Sequence, residues 1–231
     1  RNANIAAGIV SLGEFGLLFS LPLWLQNVLG YSAFGTGVIL LSLAVGSILA
    51  SGAGGALGAK RGPVFVVQIG IFLELLGVAG IALIISPTTK VILIIIPLFI
   101  YGLGVGLATA QLTGVALSQI PVEKSGQASG MTSTTRQIGS ALGIAILGTV
   151  LFASFGATLR AAVPDQRISS AIVNSAGGAI EALSRDPKNN YIVEQSKEAL
   201  TQGSRTSAYV ASAFLLIGWF ATRSLSRKES R

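Results

Sequence analysis

Three charged residues lie where charge is expensive. Glu14, Glu74 and Arg136 each sit inside a long stretch that is otherwise nearly free of charge. A charge at the centre of a bilayer costs at least about 2.5 kcal/mol, and such residues default to functional roles. Glu14 is ten residues past Asn4, about 15 Å along a helix; Glu74 is ten residues past Val64, at similar depth. A carboxyl group there, reached by water, can take up and release protons. Histidine and cysteine are both absent, so carboxylates would have to carry any proton traffic. The same absences remove disulfides, thiol nucleophiles, Ser-His-Asp catalysis and most zinc sites. No metal site or cofactor is implied, and no nucleophile–base pair suggests an intramembrane enzyme. Gln26 and Asn27 close the first apolar stretch, Thr109, Gln111 and Thr113 lie in the fourth, and Gln137 follows Arg136. Such polar groups contact a substrate or, more commonly, hydrogen-bond between helices. Glu14, Arg136, Gln111 and Gln26 are the candidate residues for proton coupling or a substrate cavity. Glu74, flanked by Gly70 and Gly77 at helical spacing, also reads as capping a packing contact. Arg136 reads either as a hydrogen-bond hub or as a coupling residue.

These residues must be positioned by membrane helices. The chain has 231 residues, 51% hydrophobic and 11% charged, with a mean hydropathy of +0.72. A soluble domain carries roughly 25% charged residues. An α-helix needs about 20 residues to cross about 30 Å of hydrocarbon. Six stretches qualify: 4–29, 33–58, 64–86, 91–119, 126–155 and 207–225. All must be helical, because lipid offers no partner to loose backbone groups. Gly30-Tyr31-Ser32, Lys60-Arg61-Gly62-Pro63, Ser86 to Lys90, and Pro121 to Lys124 separate them. Domain organisation follows: spans one to five over 1–155, a water-exposed loop with short amphipathic helices over 156–206, and the last span with a basic tail over 207–231. The net charge of +7 fits attraction to anionic lipid headgroups rather than to nucleic acid. Arg1, Lys60, Arg61, Lys124, Arg223, Arg227, Lys228 and Arg231 fall on one side, and only Lys90 in the short loops of the other. The positive-inside rule therefore predicts a multi-pass protein of the cell membrane with both ends cytoplasmic and the 156–206 loop outside. The chain opens on Arg1, with no signal-peptide pattern, which leads us to expect a fragment, or a chain whose start is missing.

Small residues recur every fourth position: Gly46, Ala50, Gly54 and Gly58; Gly102, Gly106, Ala110, Gly114 and Ser118; Gly126 and Gly130, then Gly139 and Gly143. This spacing lines one helix face and lets backbones approach closely. Gly102, Gly106, Gly114, Gly139 and Gly143 are the expected packing positions, either fixed or sliding during a transport cycle. Two soluble-protein motifs fail. Gly102-Leu103-Gly104-Val105-Gly106 lies inside an apolar helix, not at a strand-to-helix turn, and Gly54 to Lys60 lacks the Gly-Lys-Ser/Thr of a phosphate loop.

Leu21-Pro22-Leu23-Trp24-Leu25-Gln26-Asn27-Val28-Leu29-Gly30, Gly102 to Gly106, Gly126-Gln127-Ala128-Ser129-Gly130, and Thr135-Arg136-Gln137-Ile138-Gly139-Ser140-Ala141-Leu142-Gly143 together carry a resemblance. The chain resembles the C-terminal half of the fourteen-span drug:proton antiporters of the major facilitator superfamily. The long loop before the last span fits as well. The resemblance implies an all-α polytopic membrane protein, a six-helix bundle forming one half of a major facilitator fold, built as two inverted three-helix repeats. It implies proton-driven export of cationic or amphipathic small molecules, with protons and the lipid bilayer as further partners and a missing N-terminal half. It implies that spans one, two, four and five line a cavity with three and six outside, which favours Glu14 over Glu74 for coupling. Lys60-Arg61-Gly62 resembles a degenerate form of the loop between second and third spans, without its usual acidic residue. The alternative is a non-transporting membrane scaffold or assembly subunit, which gains little from buried charge.

Overall fold

A computed structural model describes residues 2–117 and 121–229. Arg1, Ser118, Gln119 and Arg231, which figure in the expectations above, lie outside the described residues. Six long helices form the body: α1 (Asn2–Asn27), α2 (Ala33–Arg61), α3 (Pro63–Ile84), α4 (Val91–Leu117), α5 (Ser125–Ala162) and α8 (Asn190–Glu229). Two short helices, α6 (Gln166–Asn174) and α7 (Ala179–Leu183), lie between α5 and α8.

Turn chemistry sets the breaks. Gly30 takes a φ of +76°, a conformation that costs glycine nothing, and Ser32 caps α2 by accepting from the Gly35 amide at 3.0 Å. Gly62, at φ +87°, is the single residue between α2 and α3, and Pro63 opens α3 where its missing N–H costs no helix bond.

Five helices among the described residues are long and apolar enough to cross a membrane: Ala7–Asn27, Ala33–Arg61, Pro63–Ile84, Val91–Thr109 and Ser125–Ala162. The expected sixth span falls within α8, which is not among those five but packs along α1, α3 and α5 as a full member of the bundle. The 156–206 region differs from a loop. Residues 156–162 continue α5, and residues 190–206 are the first part of α8. Leu159, Ser196, Ala199, Leu200 and Thr201 are fully buried there. The connection proper covers 163–189 and holds α6, α7 and one 3-10 turn. Asp165 caps α6, accepting from the Arg167 amide at 2.9 Å.

Neighbouring contacts fix helix directions. Gly8 and Leu12 meet Gly139 and Gly143, so α1 and α5 run parallel. Gly46 meets Phe99 and Gly102 while Gly58 meets Gln111, so α2 and α4 run parallel. Trp24 bonds Thr201 and Gly13 touches Leu215, so α8 is antiparallel to α1. The principal contacts are α3–α4, α2–α4, α1–α5, α1–α8, α3–α8 and α5–α8. Exchanging α1, α2, α3 for α4, α5, α8 turns α2–α4 into α5–α1 and α3–α4 into α8–α1, and leaves α3–α8 unchanged. α1 and α4 run oppositely, so the relation inverts each helix. The α2–α3 contact is much lighter than its counterpart α5–α8.

Glycine makes both parallel contacts possible. A methyl group at Gly102 or Gly106 would strike the backbone carbonyls of Leu43 and Ser47 on α2. At Gly139 or Gly143 it would strike those of Gly8 and Leu12 on α1. Gly114 does not share this packing: it is exposed, with open space where a Cβ would point. Its four-residue step from Gly106 and Ala110 carries it past the described contact, where α2 has already ended at Arg61.

Candidate functional site

The three charged residues converge. α1 carries Glu14, α3 Glu74 and α5 Arg136, and the tight α1–α5 and α3–α4 contacts bring them to one level of the bundle. Arg136 Nη2 lies 3.9 Å from Glu14 Oε2. The Glu14 side chain is 5% exposed and that of Arg136 27%, so the guanidinium faces open space and the carboxylate lies behind it. Arg136 is held by two hydroxyls, donating from Nε to Ser11 Oγ at 3.3 Å and from Nη2 to Thr109 Oγ1 at 3.4 Å. Ser11 is one turn before Glu14, so the same face of α1 supplies the counter-charge and a hydrogen-bond acceptor. Thr109 brings in α4. Arg136 thus joins α1, α4 and α5 through two hydrogen bonds and one ion pair.

Glu74 is not peripheral. It is fully buried, packed on α4, where a methyl group at Gly104 would stand 2.7 Å from Glu74 Cγ. Gly70 and Gly77, the glycines flanking Glu74, are the close-approach positions that bring α3 onto α4. A methyl group at Gly70 would stand 2.6 Å from the Ala108 amide nitrogen, and one at Gly77 2.5 Å from Tyr101 Cβ. Tyr101 then donates its hydroxyl to the main-chain carbonyl of Glu14 at 3.0 Å. Sequence reading passed over Tyr101 and Ser11. Glycines at helical spacing around Glu74, and a glycine-rich run after Tyr101, were the signals that α3 and α4 touch at this height.

In front of Arg136 opens a cleft of about 340 Å³, lined by Phe15, Ser129, Thr132, Ser133, Arg136, Gln137 and Ser140. It is walled by α1 and α5, and its volume lies within the usual range for small-molecule sites. One aromatic ring, four hydroxyls, an amide and a guanidinium can bind an amphipathic molecule without demanding one shape.

The other two candidate residues stand apart. Gln26 is exposed and lines a second cleft, about 520 Å³, with Tyr31, Ser32, Glu181 and Lys197 at the far end of α1. Twelve residues separate it from Glu14, about 18 Å of helix. Gln111 is half-buried between α4 and α2, its amide oxygen 3.0 Å from where a Gly58 methyl group would stand. It fills the widening seam between the two helices rather than facing Glu14.

Residues 2–144 match the family model described as Major Facilitator Superfamily, and the chain belongs to that family of transporters. It is 34% identical to the multidrug resistance protein Stp of Mycobacterium tuberculosis, a match covering 95% of this chain and 44% of the relative. It is 28% identical to the multidrug efflux pump LfrA of Mycolicibacterium smegmatis, over 93% of this chain and 43% of that protein. The puromycin resistance protein pur8 of Streptomyces alboniger is 31% identical over 67% of this chain and 31% of its own length. The chain thus spans under half the length of the curated relatives it matches.

Proposed function

We propose that this chain is the C-terminal half of a fourteen-span drug:proton antiporter of the cell membrane, and that Glu14 and Arg136 couple proton movement to export of cationic or amphipathic small molecules. The observation that carries the reading is the Glu14–Arg136 pair. A scaffold would gain little from a carboxylate and a guanidinium placed in apolar helices, because desolvating both offsets most of their attraction. Here the pair also borders a polar cleft, where water and a substrate can reach it. α8 serves as the sixth span, both ends are cytoplasmic, and α6 and α7 cap the outer mouth. The missing N-terminal half supplies the opposite wall of the cavity, and alternating access proceeds by rocking of the two halves around it.

The names of the relatives support drug or antibiotic efflux as the substrate class. The paired, partly accessible charges support proton coupling. The test is export of a fluorescent cation from vesicles with an imposed pH gradient. The full-length protein is expected to export it and this chain alone is not. Export by the isolated chain, or pH-independent export by the full protein, would contradict the reading.

A further inference from the structure

Glu74 is the buried ionisable group that this function leaves unused. It is fully buried on α3, and neither carboxylate oxygen has a hydrogen-bonding partner among the described residues. Glu14 Oε1 is also without one, while its Oε2 faces Arg136. Glu14 and Glu74 are the only acidic residues in the five apolar helices. Glu74 packs on α4 at Gly104, one turn after Tyr101, whose hydroxyl reaches Glu14 on α1, and Glu14 in turn faces Arg136 on α5; these three are the ionisable groups nearest it in the bundle. Tyr101 cannot serve Glu74 as a donor while its hydroxyl is engaged by the Glu14 carbonyl.

We propose that Glu14 and Glu74 form a single one-proton site, with Arg136 as its fixed positive charge. The argument is a charge count. Two carboxylates and one guanidinium are neutral together only when one carboxyl group holds a proton. A second uncompensated charge in this packed interior has no protein donor to stabilise it. The proton therefore belongs to the pair rather than to either residue. When it sits on Glu74, Glu14 pairs with Arg136, as the structure shows. When the Glu74 O–H breaks and an O–H forms on Glu14, the charge of Arg136 balances that of Glu74 instead. Glu14, next to the cleft, is where the proton enters and leaves, and Glu74 is where it is stored. This rests on the proposed coupling role of Glu14, and makes Glu74 a positioning residue for that proton.

The test is the carboxylic-acid C=O band in infrared difference spectra of the full-length protein at neutral pH, comparing each variant with wild type. A shared proton predicts that Glu74→Gln and Glu14→Gln each remove the band, because the remaining carboxylate is balanced by Arg136. Arg136→Gln should about double it, because both carboxyl groups must then be neutral. Glu14→Gln decides the matter, since it leaves α3 and its packing untouched. If the band survives Glu14→Gln, Glu74 holds its proton independently and the proposal fails. The readout needs no transport: the expected band changes in a protein that exports nothing would uphold the shared site while sinking the antiporter reading.

Discussion

The Tyr101 hydroxyl reaches across from α4 and donates to the main-chain carbonyl of Glu14 on α1, at 3.0 Å. This bond crosses between helices that otherwise barely touch, and it sets the height of the carboxylate relative to Arg136. Tyr101→Phe keeps the ring in its fully buried place and removes only the hydroxyl. A net loss of about 0.5–1.5 kcal/mol is expected for one such bond. Thermal unfolding in detergent should show a small drop, and proton-driven export should slow without stopping.

Gly143 and Gly114 separate packing from mere spacing. A methyl group at Gly143 meets the Leu12 carbonyl, whereas one at Gly114 meets open space. Gly143→Ala should destabilise by about 1–3 kcal/mol, as overpacking does. Gly114→Ala should be neutral or slightly stabilising, because alanine favours helix by up to about 1 kcal/mol. Equal melting temperatures for the two variants would show that the α1–α5 contact is looser than described.

The bundle end that holds the C-terminus of α3 is tied down by Arg205, whose Nη2 donates to the Ile85 carbonyl at 2.6 Å. Trp24 adds a bond to Thr201 Oγ1 at 2.9 Å. Arg205→Gln removes a charge-assisted hydrogen bond, for which about 1.5–3 kcal/mol is typical. Amide exchange should rise at the C-terminal end of α3 and around residues 200–206, while the region of Glu14 stays protected. Uniform exchange across the bundle would show that Arg205 supports the whole fold instead.

Orientation is tested at Ser184 and Ser226. Ser184 lines the cleft beside α7, and Ser226 lies near the far end of α8. With both ends of the chain cytoplasmic, an impermeant thiol reagent applied to intact cells should label Ser184→Cys and spare Ser226→Cys. The reverse pattern would invert the topology.

The five apolar helices were legible in the sequence because hydropathy is a property of each residue in its own stretch. The extension of α5 and the early start of α8 were not, because charged residues interrupt them: Arg160 in the first, and Glu194, Lys197, Glu198 and Arg205 in the second. Such residues read as loop. In the helix, Ser196 and Thr201 donate back to the Ile192 and Lys197 carbonyls at 2.6 and 2.7 Å, and Ser207 donates to the Leu147 carbonyl at 3.0 Å. Their hydroxyls are satisfied, so burial costs little. For the site, residue counting placed Glu14 and Glu74 at similar positions along their helices but did not give the direction that they or Arg136 face. The direction of Glu74 depends on Gly104 and Gly77 letting α3 and α4 close together, a pairing of distant segments that no local pattern specifies. Gln26 and Gln111 are polar residues in apolar stretches, and nothing in that pattern says that Gln26 lines a second cleft or that Gln111 lies against α2 at Gly58.

The central claim is that Glu14 beside Arg136 couples protons to export. It is tested most directly by Glu14→Gln in the full-length protein, reconstituted in proteoliposomes with an imposed pH gradient. Glutamine keeps the shape and hydrogen-bonding capacity of the side chain but cannot titrate. The account predicts that the variant inserts at wild-type levels and still binds the fluorescent cation, while gradient-driven export falls to the protein-free baseline. Export at the wild-type rate, at equal protein levels and with the same dependence on the gradient, would contradict it.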